Sequence, residues 1–321
     1  MAFLSPSPKH NLVTLPTLQP CNPCNLVFYL SPHIVNKYLS LVKFSHTIFA
    51  MPFALTGFFV ALAEQSDGMD WRKLGLVVLC MVFARNAAMG FNRYLDRDID
   101  ATNPRTKSRE IPAGVISPEA ALTFVLANAM AFCATTWFIN PLCFFLSPVA
   151  LAVVLGYSYT KRFTWFCHLV LGLGLSLAPV GAYLAVTGRF DWIPVLYGVA
   201  VLFWVAGFDV IYALQDEDFD KSKRLYSMPA FFGKTTALRL SEAMHLFTAA
   251  LMLLAAYLLQ NRYPEVGWLH WAATAIFLGL LVYQHLLVKP QDLSRVNMAF
   301  FTTNGIASLL FGALTIVDLV F

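Results

Sequence analysis

Asn92, Asp96 and Asp100 recur at every fourth residue of Gly90-Phe91-Asn92-Arg93-Tyr94-Leu95-Asp96-Arg97-Asp98-Ile99-Asp100. On a helix this spacing stacks an amide and two carboxylates about one turn apart on a single face, a stripe of hard oxygen donors. A second stretch, from Asp209 through Tyr212 to Asp220, also follows an apolar run and again spaces aspartates by four, at Asp216 and Asp220. Carboxylates packed this closely repel and raise one another's pKa unless a cation neutralises them. Mg²⁺ suits the task, since it takes one or two carboxylates and fills its remaining positions with water and phosphate oxygens; the pattern therefore points to a diphosphate. The plainer reading pairs the aspartates with Arg93, Arg97, Arg105, Lys221 and Lys223 in a solvated loop. The same spacing on two segments weighs against it.

Basic residues flank both stripes. Asn103-Pro104-Arg105-Thr106-Lys107-Ser108-Arg109 lies one loop from the first, and Tyr157-Ser158-Tyr159-Thr160-Lys161-Arg162 closes another apolar run. Arginine grips a phosphate bidentately and lysine acts as a point charge, so Arg109, Lys161 and Arg162 are candidate diphosphate ligands. As anchors at a membrane surface they would need no further role. Arg85 precedes Asn92 by seven residues and Asp209 precedes Asp216 by seven, two turns deeper in each case. An ionisable group at that depth either finds a partner, here Arg85 with Asp209, or lines a polar cavity. In the second case Arg85, or Lys43 on the first apolar run, would receive the anionic group of a second substrate. His46 beside Lys43 reads as a packing residue. Tyr157 and Tyr212 offer aromatic faces to a developing cation.

The elements that must position these residues are membrane helices. Hydrophobic residues make up 58% of the 321-residue chain and charged residues 12%, about half the charge of a soluble domain. Apolar runs long enough to span a bilayer fall at about 39–63, 74–95, 118–137, 142–160, 165–186, 193–215, 236–259, 267–288 and 297–320. The expected fold is all-α, a polytopic membrane protein with about nine transmembrane helices around a central cavity. Alternate loops differ in basic content: one set holds Arg93, Arg97, Arg105, Lys107, Arg109, Lys161, Arg162, Lys221, Lys223, Arg224, Lys234, Lys289 and Arg295, the other Arg72, Lys73, Arg189 and Arg262. The positive-inside rule puts the first set, and both acidic stripes, on the cytoplasmic side. Their matching placement suggests a duplicated unit. The net charge of +4 follows from this bias, and no basic, aromatic-interleaved patch argues for nucleic acid.

Residues 1–36, rich in Pro and polar residues and without Arg, carry neither a signal-peptide core nor a transit-peptide pattern and are expected to be a disordered extension. Cys21 and Cys24 form an isolated CxxC with no second pair, and Cys80, Cys133, Cys143 and Cys167 lie in or beside apolar runs as small packing residues.

Asn92-x-x-x-Asp96-x-x-x-Asp100, Asn103-Pro104-Arg105-Thr106 with Arg109, Tyr157 to Arg162, and Asp209-x-x-Tyr212-x-x-x-Asp216-x-x-x-Asp220 together resemble the UbiA superfamily of intramembrane prenyltransferases. The likeness covers residues 37–321. Lys43 to Phe53 and Tyr226-Ser227-Met228-Pro229-Ala230 are similar to the 4-hydroxybenzoate polyprenyltransferase branch and its relatives in menaquinone synthesis. The resemblance implies Mg²⁺ held by Asn92, Asp96, Asp100, Asp216 and Asp220; a polyprenyl diphosphate held by Arg109, Lys161, Arg162 and Tyr157; and an aromatic acid near Lys43, Arg85 and Tyr212, with Asp209 orienting it or taking its proton. It further implies a site in a bacterial inner membrane that faces the cytoplasm. Glu110 stands where proline often follows the arginine equivalent to Arg109, and it is expected to pair with Arg109. Other acceptors (a dihydroxynaphthoate, a homogentisate, a haem or a chlorophyllide) stay open, as does a Mg²⁺ transporter or channel. A transporter would line a path across the bilayer with carboxylates.

Overall fold

The computed structural model describes residues 32–42, 49–65 and 68–321, with side chains from residue 36 onward. Among the described residues thirteen α-helices follow one another: α1 (Pro32–Leu41), α2 (Met51–Leu62), α3 (Trp71–Leu95), α4 (Arg97–Thr102), α5 (Pro118–Trp137), α6 (Pro141–Thr160), α7 (Cys167–Thr187), α8 (Trp192–Ala213), α9 (Glu217–Ser222), α10 (Met228–Phe232), α11 (Lys234–Arg262), α12 (Trp268–Leu287) and α13 (Asn304–Val320). Among the described residues eight helices are long and apolar enough to cross a bilayer, and α2 is a shorter apolar one. The chain is an integral membrane protein.

Local chemistry sets the helix boundaries. Asp70, Ser117, Asn140 and Asp191 each accept a hydrogen bond from a backbone N–H of the following turn, and Pro118 and Pro141 open α5 and α6, where a missing N–H costs nothing. At the other end of α7, Gly188 closes the helix at φ 66°, a left-handed stop that a residue with a Cβ resists.

The first expected span, 39–63, is not one helix. α1 and α2 divide it, and residues 43–48, with Lys43 and His46, lie outside the described residues. Pro52 in the first turn of α2 is the physical reason, because proline disfavours helical geometry in the residue before it and lacks the N–H to continue a ladder. Residues 1–31, with Cys21 and Cys24, also lie outside the description, and α1 begins before the boundary expected at residue 37.

With 12 residues, α2 covers about 18 Å, too little to span the hydrocarbon alone, and it is held inside the bundle. Phe53 stacks on Phe311 at 5.2 Å and lies 5.4 Å from Trp204 and 5.9 Å from Phe277. A Cβ on Gly57 would come within 2.2 Å of the Pro179 carbonyl oxygen, so α2 and α7 touch backbone to backbone. Close approach of this kind, with interhelical bonds such as Trp204 Nε1 to Asn304 Oδ1 at 2.9 Å, replaces the hydrophobic drive that lipid does not supply. Trp71, Trp137, Trp192 and Trp268, all strongly exposed, sit at helix ends on the side away from the acidic motifs and form the belt expected at a membrane surface.

Candidate active site

Both acidic stripes break where a single helix face was expected. α3 stops at Leu95, Asp96 takes φ −89° and ψ 5°, and α4 sets off with Asp100. α8 tightens into one 3₁₀ turn, Asp216 takes φ −103° and ψ 5°, and α9 carries Asp220. Each central aspartate therefore sits in the sparsely populated bridge region favoured at functional turns. The shared course (long helix, bent aspartate, short helix) agrees with a duplicated unit. Within the first motif Asn92 donates to Asp96 at 3.1 Å.

A cation faces each of the four aspartates. Arg162 reaches Asp96 at 2.9 Å, Arg109 reaches Asp100 at 2.7 Å, Lys161 reaches Asp220 at 2.7 Å and Arg105 Nε reaches Asp216 at 3.0 Å. Lys161 and Arg162 are consecutive, yet they point to opposite motifs, so the end of α6 is wedged between the two stripes. Arg105 and Asn103, which follow the first motif, both donate to Asp216 of the second. The two stripes thus meet at one end of the bundle. Asp100, Asp216 and Asp220 are buried, and carboxylates taken out of water persist only when paired. Burial pushes the Asp96 carboxyl above its ordinary range even against Arg162. Burial works against the Lys161 ammonium, but Asp220 outweighs it and holds Lys161 above its usual value.

The plain pairing holds for Arg105, while Lys221 turns to Glu217 and Arg97 to Asp98. Arg93 is buried yet, among the described residues, makes no ion pair, and its Nε finds no acceptor. Glu110 does not take Arg109; it accepts from the Ser40 hydroxyl instead, because Arg109 Nη1 already bridges both oxygens of Asp100.

The deeper pair differs from the expected Arg85 to Asp209 bridge. Asp209 Oδ2 lies 2.7 Å from Nδ1 of His168, a buried residue near the start of α7. His168 Nε2 accepts from the Met228 N–H at 3.2 Å, which leaves Nδ1 as the protonated nitrogen that donates to Asp209. Arg85 has no ion pair among the described residues and lines an apolar cavity of about 360 Å³ between α3, α6 and α7. The lining runs from Val77 and Cys143 to Met89 and Tyr157, about 18 Å along α3. Tyr157 is one turn from Lys161, so the cavity approaches the acidic motifs from below. Among the described residues no carboxylate lines it, whereas a metal path through the bilayer would be lined with them. Tyr212 stacks on Phe300 at 4.2 Å, and its hydroxyl accepts from Arg105 at 2.9 Å.

A model of the UbiA prenyltransferase family matches residues 50–306. The chain belongs to that family. It is similar to the 4-hydroxybenzoate octaprenyltransferase of Aliivibrio fischeri (strain MJ11), at 29% identity over 79% of this chain and 87% of the relative. The apo structure of a UbiA homolog from Aeropyrum pernix K1 superposes with a TM-score of 0.76 at 32% identity, covering 85% of this chain and 98% of that one. A UbiA homolog from Archaeoglobus fulgidus, solved with GPP and Mg²⁺, shares the fold with a TM-score of 0.64 at 23% identity, covering 88% of this chain and 99% of that one.

In this UbiA prenyltransferase, among the described residues, no three carboxylate, histidine or cysteine side chains converge to hold an ion; their place is taken by the four aspartate-cation pairs. Three contributors escaped the sequence reading. Arg105 was legible only as a flanking charge, Ser227, which donates to Asp220 at 2.9 Å, only as part of a resemblance, and His168 not at all, since its partner Asp209 is 41 residues away.

Proposed function

We propose that this enzyme transfers a polyprenyl group from polyprenyl diphosphate to the ring carbon ortho to the hydroxyl of an aromatic acid, 4-hydroxybenzoate, in quinone synthesis (ubiquinone or menaquinone), with Mg²⁺ as cofactor. The observation that carries this reading is the set of four aspartate-cation pairs, three of them with a buried aspartate, standing over an apolar cavity. A prenyl chain belongs in hydrocarbon and its diphosphate in water, so the reactive carbon belongs where the two meet. The basic loops on the acidic side support an active site facing the cytoplasm, and bacterial relatives support an inner-membrane location.

The donor set fits a hard cation: hard oxygens, two carboxylates from each motif, and counter-charges that can be exchanged. When bound, Mg²⁺ held by Asn92, Asp96, Asp100, Asp216 and Asp220 would neutralise the diphosphate and improve it as a leaving group. The guanidinium groups of Arg105, Arg109 and Arg162 and the Lys161 ammonium are then free to turn from carboxylate to phosphate oxygens. Tyr157, where cavity and motifs meet, faces the allylic carbon and stabilises charge that develops as the C1–O bond lengthens. Arg85, without a carboxylate partner among the described residues, receives the acid group of the acceptor, and the family resemblance assigns Tyr212 and Lys43 to the same substrate. The ring carbon beside the hydroxyl bonds to C1, the diphosphate leaves with the bonding pair, and the ring proton passes to a base. Asp209 Oδ1, which has no protein partner among the described residues, is placed for that role or for orienting the phenol.

The test is a membrane assay with Mg²⁺, radiolabelled 4-hydroxybenzoate and prenyl diphosphates of several lengths, with the lipid product weighed by mass spectrometry. A prenylated hydroxybenzoate is the expected product. Transfer only to another labelled acceptor would replace the acid, and metal flux into proteoliposomes without any prenyl substrate would replace the reading.

A further inference from the structure

Three consecutive residues, Tyr226 and Ser227 ahead of α10 and Met228 at its start, are tied to three different parts of the site. The Tyr226 N–H donates to the Lys161 carbonyl at 2.8 Å, the Ser227 hydroxyl donates to Asp220 Oδ2 at 2.9 Å, and the Met228 N–H donates to His168 Nε2 at 3.2 Å. His168 in turn holds Asp209 at 2.7 Å. The segment therefore links a carboxylate of the second acidic motif to the carboxylate two turns deeper, with an imidazole as the intermediary. His168 is 2% exposed and Ser227 fully buried, so both donors are shielded from water.

Resting on the function proposed above, we propose that His168 is a positioning residue for the aromatic acceptor: it clamps Asp209 through Oδ2 and leaves Oδ1 aimed at the acceptor hydroxyl. Three features support a role beyond packing. The Met228 N–H fixes the tautomer, so the Nδ1 proton always faces Asp209. The bond to a carboxylate is of the stronger, charge-assisted kind. The backbone donor comes from the same strap that orients Asp220, so movement of the metal-side motif reaches Asp209 by way of His168. His168 touches no substrate in this arrangement and acts only through Asp209.

The experiment measures KM for 4-hydroxybenzoate and for the prenyl diphosphate separately, with the full chain in lipid nanodiscs, for wild type, His168→Ala, His168→Asn and His168→Gln. Losing the clamp is expected to raise the acceptor KM of His168→Ala by about tenfold to a hundredfold and to leave the prenyl diphosphate KM in place. His168→Asn keeps an N–H near the Nδ1 position and is expected to recover most of the loss, whereas His168→Gln, whose amide reaches toward the Nε2 position, is not. Equal rises in both KM values, an Asn variant no better than Ala, or no change at all would overturn the assignment. If the Ala variant does not accumulate, the contrast between Asn and Gln decides by the same criterion. Wild-type protein that prenylates no aromatic acid would overturn the proposed function instead, which keeps the two failures apart.

Discussion

The two ends of the bundle handle charge in opposite ways. At the end away from the acidic motifs, Glu64 accepts from the hydroxyls of Tyr183 at 2.8 Å and Tyr263 at 3.2 Å and from Arg262 at 3.3 Å and Arg189 at 2.6 Å. Arg262 also pairs with Asp191 at 2.7 Å. One carboxylate is saturated by four donors brought from α7, α11 and the loops beside them, which ties those elements together. At the acidic end each aspartate has one cation, most of them from mobile-length loop side chains, and each pair is separable from the next. A carboxylate saturated by four donors has nothing left to bind with, while one neutralised by a single cation can exchange that cation for a metal or release it to a phosphate. The first end is built to stay closed and the second to exchange.

Metal removal should separate the ends most sharply. Chelation is expected to abolish prenyl transfer and to leave the thermal unfolding midpoint unchanged, because the aspartates keep their cation partners; a midpoint that drops on chelation would mean that metal, rather than these pairs, holds the acidic end together. Asp96→Ala and Asp216→Ala are expected to lower turnover by about a hundredfold to a thousandfold in protein whose circular dichroism matches wild type. Retained turnover would remove both residues from the metal site. Glu64→Ala should do the reverse: it leaves the buried Tyr183 hydroxyl without its acceptor, costs about 1–3 kcal/mol of stability, and leaves the turnover of the folded fraction intact, as read by denaturation in detergent alongside the assay. Arg189→Ala is the mildest, because Arg189 is largely exposed and an exposed pair contributes little; the denaturation midpoint is expected to match wild type, and a clear drop would show that the Glu64 knot depends on every donor.

Most of the acidic site was legible as residue types. Asp96, Asp100, Asp216 and Asp220 advertise themselves because carboxylates are rare in a chain of this hydropathy and recur at one spacing. Arg109, Lys161 and Arg162 were legible as charge on the same side, but not as partners: that Lys161 takes Asp220 while its neighbour takes Asp96 depends on where α6 ends between two distant segments. The bends at Asp96 and Asp216 were hidden too, since no glycine or proline marks either position. Glu110 shows the converse error. Sequence proximity suggested Arg109 as its partner, and the fold supplied Ser40 instead.

Membrane insertion, eight of the nine expected spans, their alternating direction and the gathering of acid and base on one side follow from the sequence alone, because each depends on local composition read against a bilayer of fixed thickness. Which cation faces which aspartate, the choice of His168 over Arg85 as the partner of Asp209, and the inward retreat of α2 were decided only by tertiary structure. Each turns on which side chain arrives within about 3 Å of another, and that distance is set by helix packing rather than by any spacing along the chain.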